Sequence, residues 1–532
     1  MQLESLELSP KVREYINKLQ TRIEEIQNQY ESSLNNIIEL KNQYLEIKER
    51  YDLLVYKRFV RSAEEVIGDK SQQLLFGNEG EQIKPSLKSN PGEVEQVKSY
   101  SRKKRGRKAI DPHIPREDKV IDIPESEKRC ACGAELSRIG EETSEKLHII
   151  PPRMFVEKII RPKYACRRCE GTDDEDKPAV RIAPVEPSII PRSIVSPSLL
   201  SCVLIQKYED HLPYYRQERQ FERIGVIISR QDMSNWQQKA YEKLSPLFKL
   251  LKEIITQGPV MQMDETTVQV MGEEGRLDTD KSYMWLACGG PPGKTVVLYE
   301  YRQTRAATHA KNMLEGYQGY LQTDGYSGYD CAVKELPGIV HVGCFAHCRR
   351  HFFEAAKISE QGGIAKEGIA YIRRLYDIER KVRELQKKKK LPDKKFVKKR
   401  RARAGPVLME FRQWLLKQKR EVPPSLLLGK AIHYSLSQWD KLTRYLGSQY
   451  LTPDTNFCEN LIRPFVLGRK NYLFHKSPEG AESSCGIYSL IATAKQNGLK
   501  PLDYLTALFE KAPYAKSAEA WEKLLPWNIF SK

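Results

Sequence analysis

The sequence predicts a multidomain α/β protein. A mixed-sheet core is interrupted by a helical insertion, and a coiled coil, a metal-binding finger and a helical region precede it. Three observations predict this. A heptad seam runs through residues 12–54. Two close cysteine pairs lie between residues 130 and 169. From Pro259 onward, short alternating apolar segments replace helical spacing.

The chain has 532 residues, more than one ordinary domain holds. Its 40 % hydrophobic content is enough to bury real cores. Lys and Arg number 88 against 70 Asp and Glu, a net charge of +18 that suits a polyanionic partner such as nucleic acid. No run of 18 apolar residues is present, so no transmembrane helix is expected. The opening MQLESLELSPKVREY lacks the basic-then-apolar pattern of a secretory signal. A cytoplasmic, nucleoid-associated protein is the expectation. Eleven cysteines without a secretion signal argue against a disulfide framework and for testing close pairs as metal ligands.

Residues 1–67 read as a leucine-zipper-like coiled coil. Val12, Ile16, Leu19, Ile23, Ile26, Tyr30, Ser33, Ile37, Leu40, Tyr44, Ile47, Tyr51 and Leu54 alternate in steps of four and three. That period is nearer 3.5 than 3.6 and implies a homo-oligomer. Residues 68–118 read as a polar linker ending in a basic cluster with Arg102, Arg105, Arg107 and Lys108. Its Arg-Gly-Arg-Lys core suits a narrow minor groove, where the potential is most negative. Residues 119–185 read as a finger. Cys130-x-Cys132 and Cys166-x-x-Cys169 supply four thiolates for a structural Zn²⁺, with extended β segments between them. Residues 186–256 read as helical. A turn at Ile224-Gly225-Val226 and an N-cap at Ser229 give a helix-turn-helix-like, DNA-binding layout.

The core begins at residue 257. PVMQMDETTVQV reads as a strand carrying Asp264, followed by the strands SYMWLACGG and TVVLYEYRQTR and the helix AATHAKNMLEGY. GYLQTDGYSGYD reads as a strand ending at Asp324, and GIVHVGCFAHCRRHFFEAA as a strand running into a helix. Three strands, a helix, a strand, a helix and a strand is the order of the ribonuclease H-like fold. Adjacent strands would bring Asp264 and Asp324 together. Paired carboxylates with a third from a later helix suit two Mg²⁺ ions, with Mn²⁺ as a substitute, because hard cations take oxygen ligands.

The first part of the core runs to residue 354. A basic helical insertion follows over 355–450, with Lys387–Lys390 and Lys394–Arg403 expected between its helices. It suits DNA-end binding and equally a solvated, mobile arm. Residues 451–515 complete the core with C-terminal helices, Gly498 stopping one and Pro501 starting the next; 516–532 is a tail.

The chain resembles the DDE transposases of the insertion-sequence sixty-six family, the TnpC-like proteins, over nearly its whole length. The most specific stretches are MDETTVQV, TDGYSGYD, CFAHCRRHF and NFCENLIRPFVLGRKNYLFHKSPEGAESSCGIYSLIATAKQNGLKP, together with the N-terminal zipper and the cysteine finger. The resemblance implies that Asp264, Asp324 and Glu459 are the catalytic, magnesium-holding acids. Glu459 lies in Asn456-Phe-Cys-Glu-Asn-Leu-Ile-Arg-Pro, 135 positions after Asp324. Cys344-x-x-His347 matches a motif such families carry between the second Asp and the Glu, although two ligands do not fill a tetrahedral zinc site.

Helical geometry agrees with that assignment. With Asp454 or Thr455 as N-cap, Asn456, Glu459, Asn460 and Arg463 share one face. Pro464 is expected to end or kink this helix, leaving Arg469 and Lys470 beyond the bend and facing DNA. His347, Arg349 and Arg350, on the helix after the fifth strand, are expected to touch phosphate or order the metal site.

The function expected is cleavage of double-stranded DNA at transposon ends, then strand transfer into target DNA by 3′-OH attack. Accessory proteins of the same element are candidate partners, and no membrane is involved. The alternatives are a non-catalytic DNA-binding derivative and another ribonuclease H-like nuclease.

Overall fold

The computed structural model describes residues 10–59, 154–165, 180–358 and 363–531. It divides into two units, residues 1–63 with 185–532, and residues 64–184. In the smaller unit, β1 (Lys163–Ala165) pairs antiparallel with β2 (Val180–Ile182). Arg161 Nε donates to Ala183 O at 2.8 Å beside that ladder. The β reading of the segment before Cys166 holds only for β1. Residues 154–162 have no ladder, and Phe155, Val156, Ile159 and Ile160 are exposed. Cys130, Cys132, Cys166 and Cys169 lie outside the described residues, as do Arg102, Arg105, Arg107 and Lys108.

In the larger unit, the heptad segment forms one uninterrupted helix, α1 (Pro10–Phe59). Its seam residues Leu19, Ile23, Ile26, Ile37, Leu40, Ile47 and Leu54 are exposed. Near its C-terminal end, the Glu49 carboxylate accepts the Leu427 N–H at 2.9 and 3.1 Å.

Four helices follow: α2 (Pro197–Tyr208), α3 (Tyr214–Arg223), α4 (Arg230–Lys243) and α5 (Ser245–Ile255). The turn between α3 and α4 forms as the sequence predicts, with Gly225 at φ +80°. Ser229 and Asp232 form a capping box that satisfies the first free N–H groups of α4. These helices do not form a separate module. Their buried Leu200, Leu204, Met233, Trp236 and Leu251 belong to the same hydrophobic core as the sheet.

That sheet has five strands: β3 (Val260–Gln269), β4 (Lys281–Gly289), β5 (Val296–Arg302), β6 (Gly319–Gln322) and β7 (Ile339–Val342). Their order is β5-β4-β3-β6-β7. The β3–β4 and β4–β5 pairs are antiparallel, and the β3–β6 and β6–β7 pairs parallel. Helices α6 (Ala307–Met313) and α7 (Ser327–Lys334) make the crossovers, and α8 (Phe345–Ile358) follows β7. The fourth strand ends at Gln322 rather than Asp324, and Ser327 begins a helix. Asp324 turns the chain by accepting the Tyr326 N–H at 2.9 Å. Gly325 fits there because a Cβ would meet the Tyr434 ring at 2.6 Å.

The insertion packs α9 (Gly363–Lys389), α10 (Asp393–Glu421), α11 (Leu427–Ser437) and α12 (Trp439–Thr443) around a second core with Phe352, Phe411, Leu415 and Trp439. Lys394–Arg403 lies inside α10 instead of between helices. The run is interrupted by buried Phe396 and Arg400, which give it a packed face. Arg400 is fully buried. It bonds Glu379 at 2.7 Å and the carbonyls of Tyr445, Ser448 and Leu451 at 2.6, 2.7 and 3.0 Å. Arg383 shares Glu379 at 2.7 Å and also holds Leu451 O at 2.7 Å.

The chain then enters α13 (Asn456–Tyr472), α14 (Pro478–Gln496), α15 (Pro501–Lys511) and α16 (Ala518–Glu522). Pro464 does not end α13, which runs eight residues past it. Proline removes one helical hydrogen bond, but buried Cys458, Leu461, Ile462 and Phe465 anchor the helix through that point. Helix α14 lies along β5, with Ser489 Oγ accepting the Tyr299 N–H at 2.9 Å and Thr493 Oγ1 the Val297 N–H at 3.1 Å. The tail also packs, burying Leu524, Leu525 and Ile529.

Candidate active site

Asp264 sits within β3, Asp324 in the turn after β6, and Glu459 in the first turn of α13. Side chains two apart on a strand share a face, and the residues two positions before each Asp explain how Glu459 arrives. Gln262 and Gln322 are buried on neighbouring strands and bonded to each other at 3.0 Å. Gln322 Nε2 donates to Thr452 O at 2.7 Å, and Gln262 Oε1 accepts the Cys458 N–H at 3.2 Å. The pair therefore grips the start of α13. Thr455 is the N-cap residue, but the Asp454 carboxylate is the side chain that accepts the Asn456 N–H, at 3.1 Å.

The three acids are close enough to act on one another. Burial pushes the Asp264 carboxyl up to about 7, and the charges of Glu265, Asp324 and Glu459 add to that rise. Its Oδ1 is held by the Glu265 N–H at 2.8 Å. Glu459 Oε1 is buried without a hydrogen-bond partner, 3.7 Å from His347 Nδ1, and Oε2 lies 3.3 Å from Arg350 Nη2. Clustered carboxylates with an orphaned buried oxygen are deficient in positive charge. A divalent cation with oxygen preference supplies it, so the donor set fits magnesium.

Among the described residues, Cys344, His347 and Glu459 also bring ligand atoms within 4.8 Å of one another. Burial pushes the Cys344 thiol up to about 12. Its sulfur accepts both the N–H and Oγ1–H of Thr455 at 3.3 Å. Cys344 thus ties the segment entering α8 to the start of α13, beside Glu459.

Sequence reasoning missed a second group beside the acids. Glu265, whose charge adds to the rise at Asp264, bonds the Tyr329 hydroxyl and Arg305, whose Nε lies at 2.6 Å. The Arg305 guanidinium lies 3.8 Å over the Tyr326 ring and 3.8 Å from Asp324 Oδ2. It is part-exposed, so donors remain for a phosphate. Glu265 was overlooked because strand alternation assigns adjacent residues to opposite faces; the signal available was the acid pair Asp264-Glu265 itself.

The remaining sequence-predicted residues divide by element. His347, Arg349 and Arg350 lie on α8, with His347 and Arg350 facing Glu459 and Arg349 over the Phe353 ring. Arg463, Arg469 and Lys470 lie on α13. Arg469 turns inward, its Nη1 3.4 and 3.2 Å from the hydroxyls of Thr266 and Thr267, whereas Lys470 is exposed.

The chain is similar in sequence to known proteins. The family model described as the transposase IS66 family matches residues 192–483. That of the zinc-finger binding domain of transposase IS66 matches residues 127–170, and that of the IS66 C-terminal element residues 489–527. The Sinorhizobium fredii protein y4jD is 30 % identical over 430 residues, covering 79 % of this chain and 81 % of the relative. A second protein of that organism, y4qI, is 29 % identical over 482 residues, covering 87 % and 86 %. Both are named only as uncharacterized proteins. The zinc-finger match spans Cys130, Cys132, Cys166 and Cys169. Matched from its finger to its C-terminal element, the chain belongs to the IS66 family of transposases.

Proposed function

We propose that this transposase cuts double-stranded DNA at the ends of its insertion sequence and joins the freed 3′ ends to target DNA, using Asp264, Asp324 and Glu459. One observation supports the reading above all: the Gln262–Gln322 pair, two positions before each aspartate, bonds Thr452 O and the Cys458 N–H at the start of the helix that carries Glu459. The strand order, three antiparallel strands followed by two parallel ones, supports a ribonuclease H-like core. Two Mg²⁺ ions held by the three acids would stabilise charge on the attacking and leaving oxygens.

The chain's own residues do the rest. The Gln pair and the Asp324 turn fix the carboxylates before substrate arrives. Arg305 and Arg350 offer exposed guanidinium edges to DNA phosphates on either side of them. In the first step, a water oxygen bonds to phosphorus and the 3′ oxygen leaves as a hydroxyl. In the second, that hydroxyl attacks a target phosphorus and displaces the target's own 3′ oxygen. Both are in-line displacements, so one acid cluster serves both.

The other modules complete this reading. Cys130, Cys132, Cys166 and Cys169 would hold a structural Zn²⁺. The basic cluster at 102–108 and the α3–α4 turn would add DNA contacts, since α4 leaves Gln231 and Lys239 exposed. The exposed seam of α1 would pair with a second copy as a coiled coil. Accessory proteins of the same element and a nucleoid location fit a DNA substrate. Asp264→Asn, Asp324→Asn and Glu459→Gln should each abolish magnesium-dependent cutting of a labelled terminal-repeat duplex while leaving its binding intact. Cutting at the wild-type rate in any of the three removes that acid from the site.

A further inference from the structure

Helix α13 presents one solvent-facing stripe that starts beside Glu459. Phe457, Asn460, Arg463, Leu467, Lys470 and Asn471 are exposed along it at helical spacing. The stripe ends in an unusual turn. Leu473 has φ +66° and ψ −55°, and the Phe474 N–H donates to Tyr472 O at 2.8 Å. This is a γ-turn of positive φ, a rare and strained conformation for a residue with a side chain. Glycine would close the same turn without strain, yet the chain carries Leu there and Phe next to it. Neither is buried in the fold, with Leu473 64 % and Phe474 43 % exposed.

The turn is firmly mounted. The His475 N–H donates to Gln269 O at 3.0 Å, and the Met271 N–H donates to His475 O at 2.9 Å, bolting the segment to the end of β3. His475 itself is buried. Exposed Lys470 and Lys476 stand on either side of the apolar pair. A strained, rigid, apolar tip between cations, on the helix that carries a candidate catalytic acid, matches what inserts into a duplex. Apolar wedges enter between base steps and unstack them while flanking cations hold the backbone.

We infer that Leu473 and Phe474 form a wedge that enters the bound DNA between two base pairs and unstacks them. The inference rests on the reading that this chain cuts DNA with Glu459. Leu473 lies 14 positions after Glu459. At 1.5 Å per helical residue and 3.4 Å per base pair, the opened step falls about six base pairs from the scissile phosphate where α13 runs along the duplex. A wedge there bends the end and releases pairing near the cut.

The test uses the full-length protein and a duplex carrying the terminal repeat that flanks its coding sequence, with 2-aminopurine placed at successive positions. In calcium, the wild type should raise fluorescence severalfold at one step and leave distant positions unchanged. Leu473→Gly, which keeps the turn and relieves its positive φ, and Phe474→Ala should each lose most of that rise, with anisotropy-measured binding weakened less than tenfold. Lys470→Ala should weaken binding and keep the rise at saturation. End cutting in magnesium by the wild type without any fluorescence rise overturns the wedge and leaves the cutting reading standing. A rise that survives both wedge variants also overturns it. Neither binding nor cutting of the terminal repeat overturns both.

Discussion

The sheet and the insertion lobe hold the same helix by opposite means. On the sheet side, neutral amides on β3 and β6 grip the start of α13, through short bonds between Gln262, Gln322 and the backbone. On the lobe side, charged groups do the gripping: buried Arg400 and half-buried Arg383 converge on Glu379 and on the carbonyls leading into α13. A neutral clamp costs little to bury and gives fine placement. An ionic clamp is expensive to desolvate, and its attraction repays that cost only through close, hydrogen-bonded geometry. The lobe is therefore a brace for Glu459, although its composition reads as a DNA-binding or solvated arm.

Breaking the lobe clamp should have the larger effect on folding. Arg400→Met leaves Glu379 buried beside one remaining arginine and removes the guanidinium bonds to three carbonyls, and should destabilise the chain by about 3–5 kcal/mol. Urea unfolding measures this, and a loss under about 1 kcal/mol would show that the lobe carries little of the placement.

Breaking the sheet clamp should act on chemistry more than on folding. Gln322→Leu removes the bond to Thr452 O and should cost about 1–3 kcal/mol. A shift of Glu459 by about an ångström should slow end cutting about 100-fold. Binding to the terminal repeat should stay unchanged, so a parallel fall in binding would assign Gln322 a different role.

The smallest effect sharpens the sheet side alone. Burial holds the His475 imidazole down at about 3, and the nearby Lys207 charge adds to this. Above pH 6.5 the folded and unfolded chains both carry it neutral. As pH falls below 6.5, only the unfolded chain takes up the proton, so stability is lost. At pH 5.5 the loss is about 1.4 kcal/mol for this one group. His475→Gln should remove that part of the acid sensitivity, read as the difference in urea midpoint between pH 7.5 and pH 5.5. An unchanged difference would mean that His475 titrates normally.

How much of this was legible in the sequence follows from the range of the signals. Asp264 and Asp324 were legible because strand alternation and element order are local, and β3 and β6 do lie side by side. Glu459 was reachable only through resemblance. Its placement depends on Gln262 and Gln322, which read as ordinary polar residues until their strands are paired. The brace was invisible for a related reason. Arg400 stands among Lys394–Arg403, where nothing in composition separates one buried guanidinium from its solvated neighbours. The γ-turn at Leu473 had no signal either, because no glycine or asparagine marks it.

The hydroxyls of α14 that meet β5 have a consequence for assembly. A bare edge strand is a template on which another chain can add a strand of its own. Here Ser489 and Thr493 occupy the outward groups of Tyr299 and Val297, and at the opposite edge Arg444 donates to His341 O at 2.7 Å. At these positions the groups of the two edge strands are already bonded within the fold. A strand added there by another chain would first have to break those bonds, which protects the acid-bearing sheet from runaway pairing.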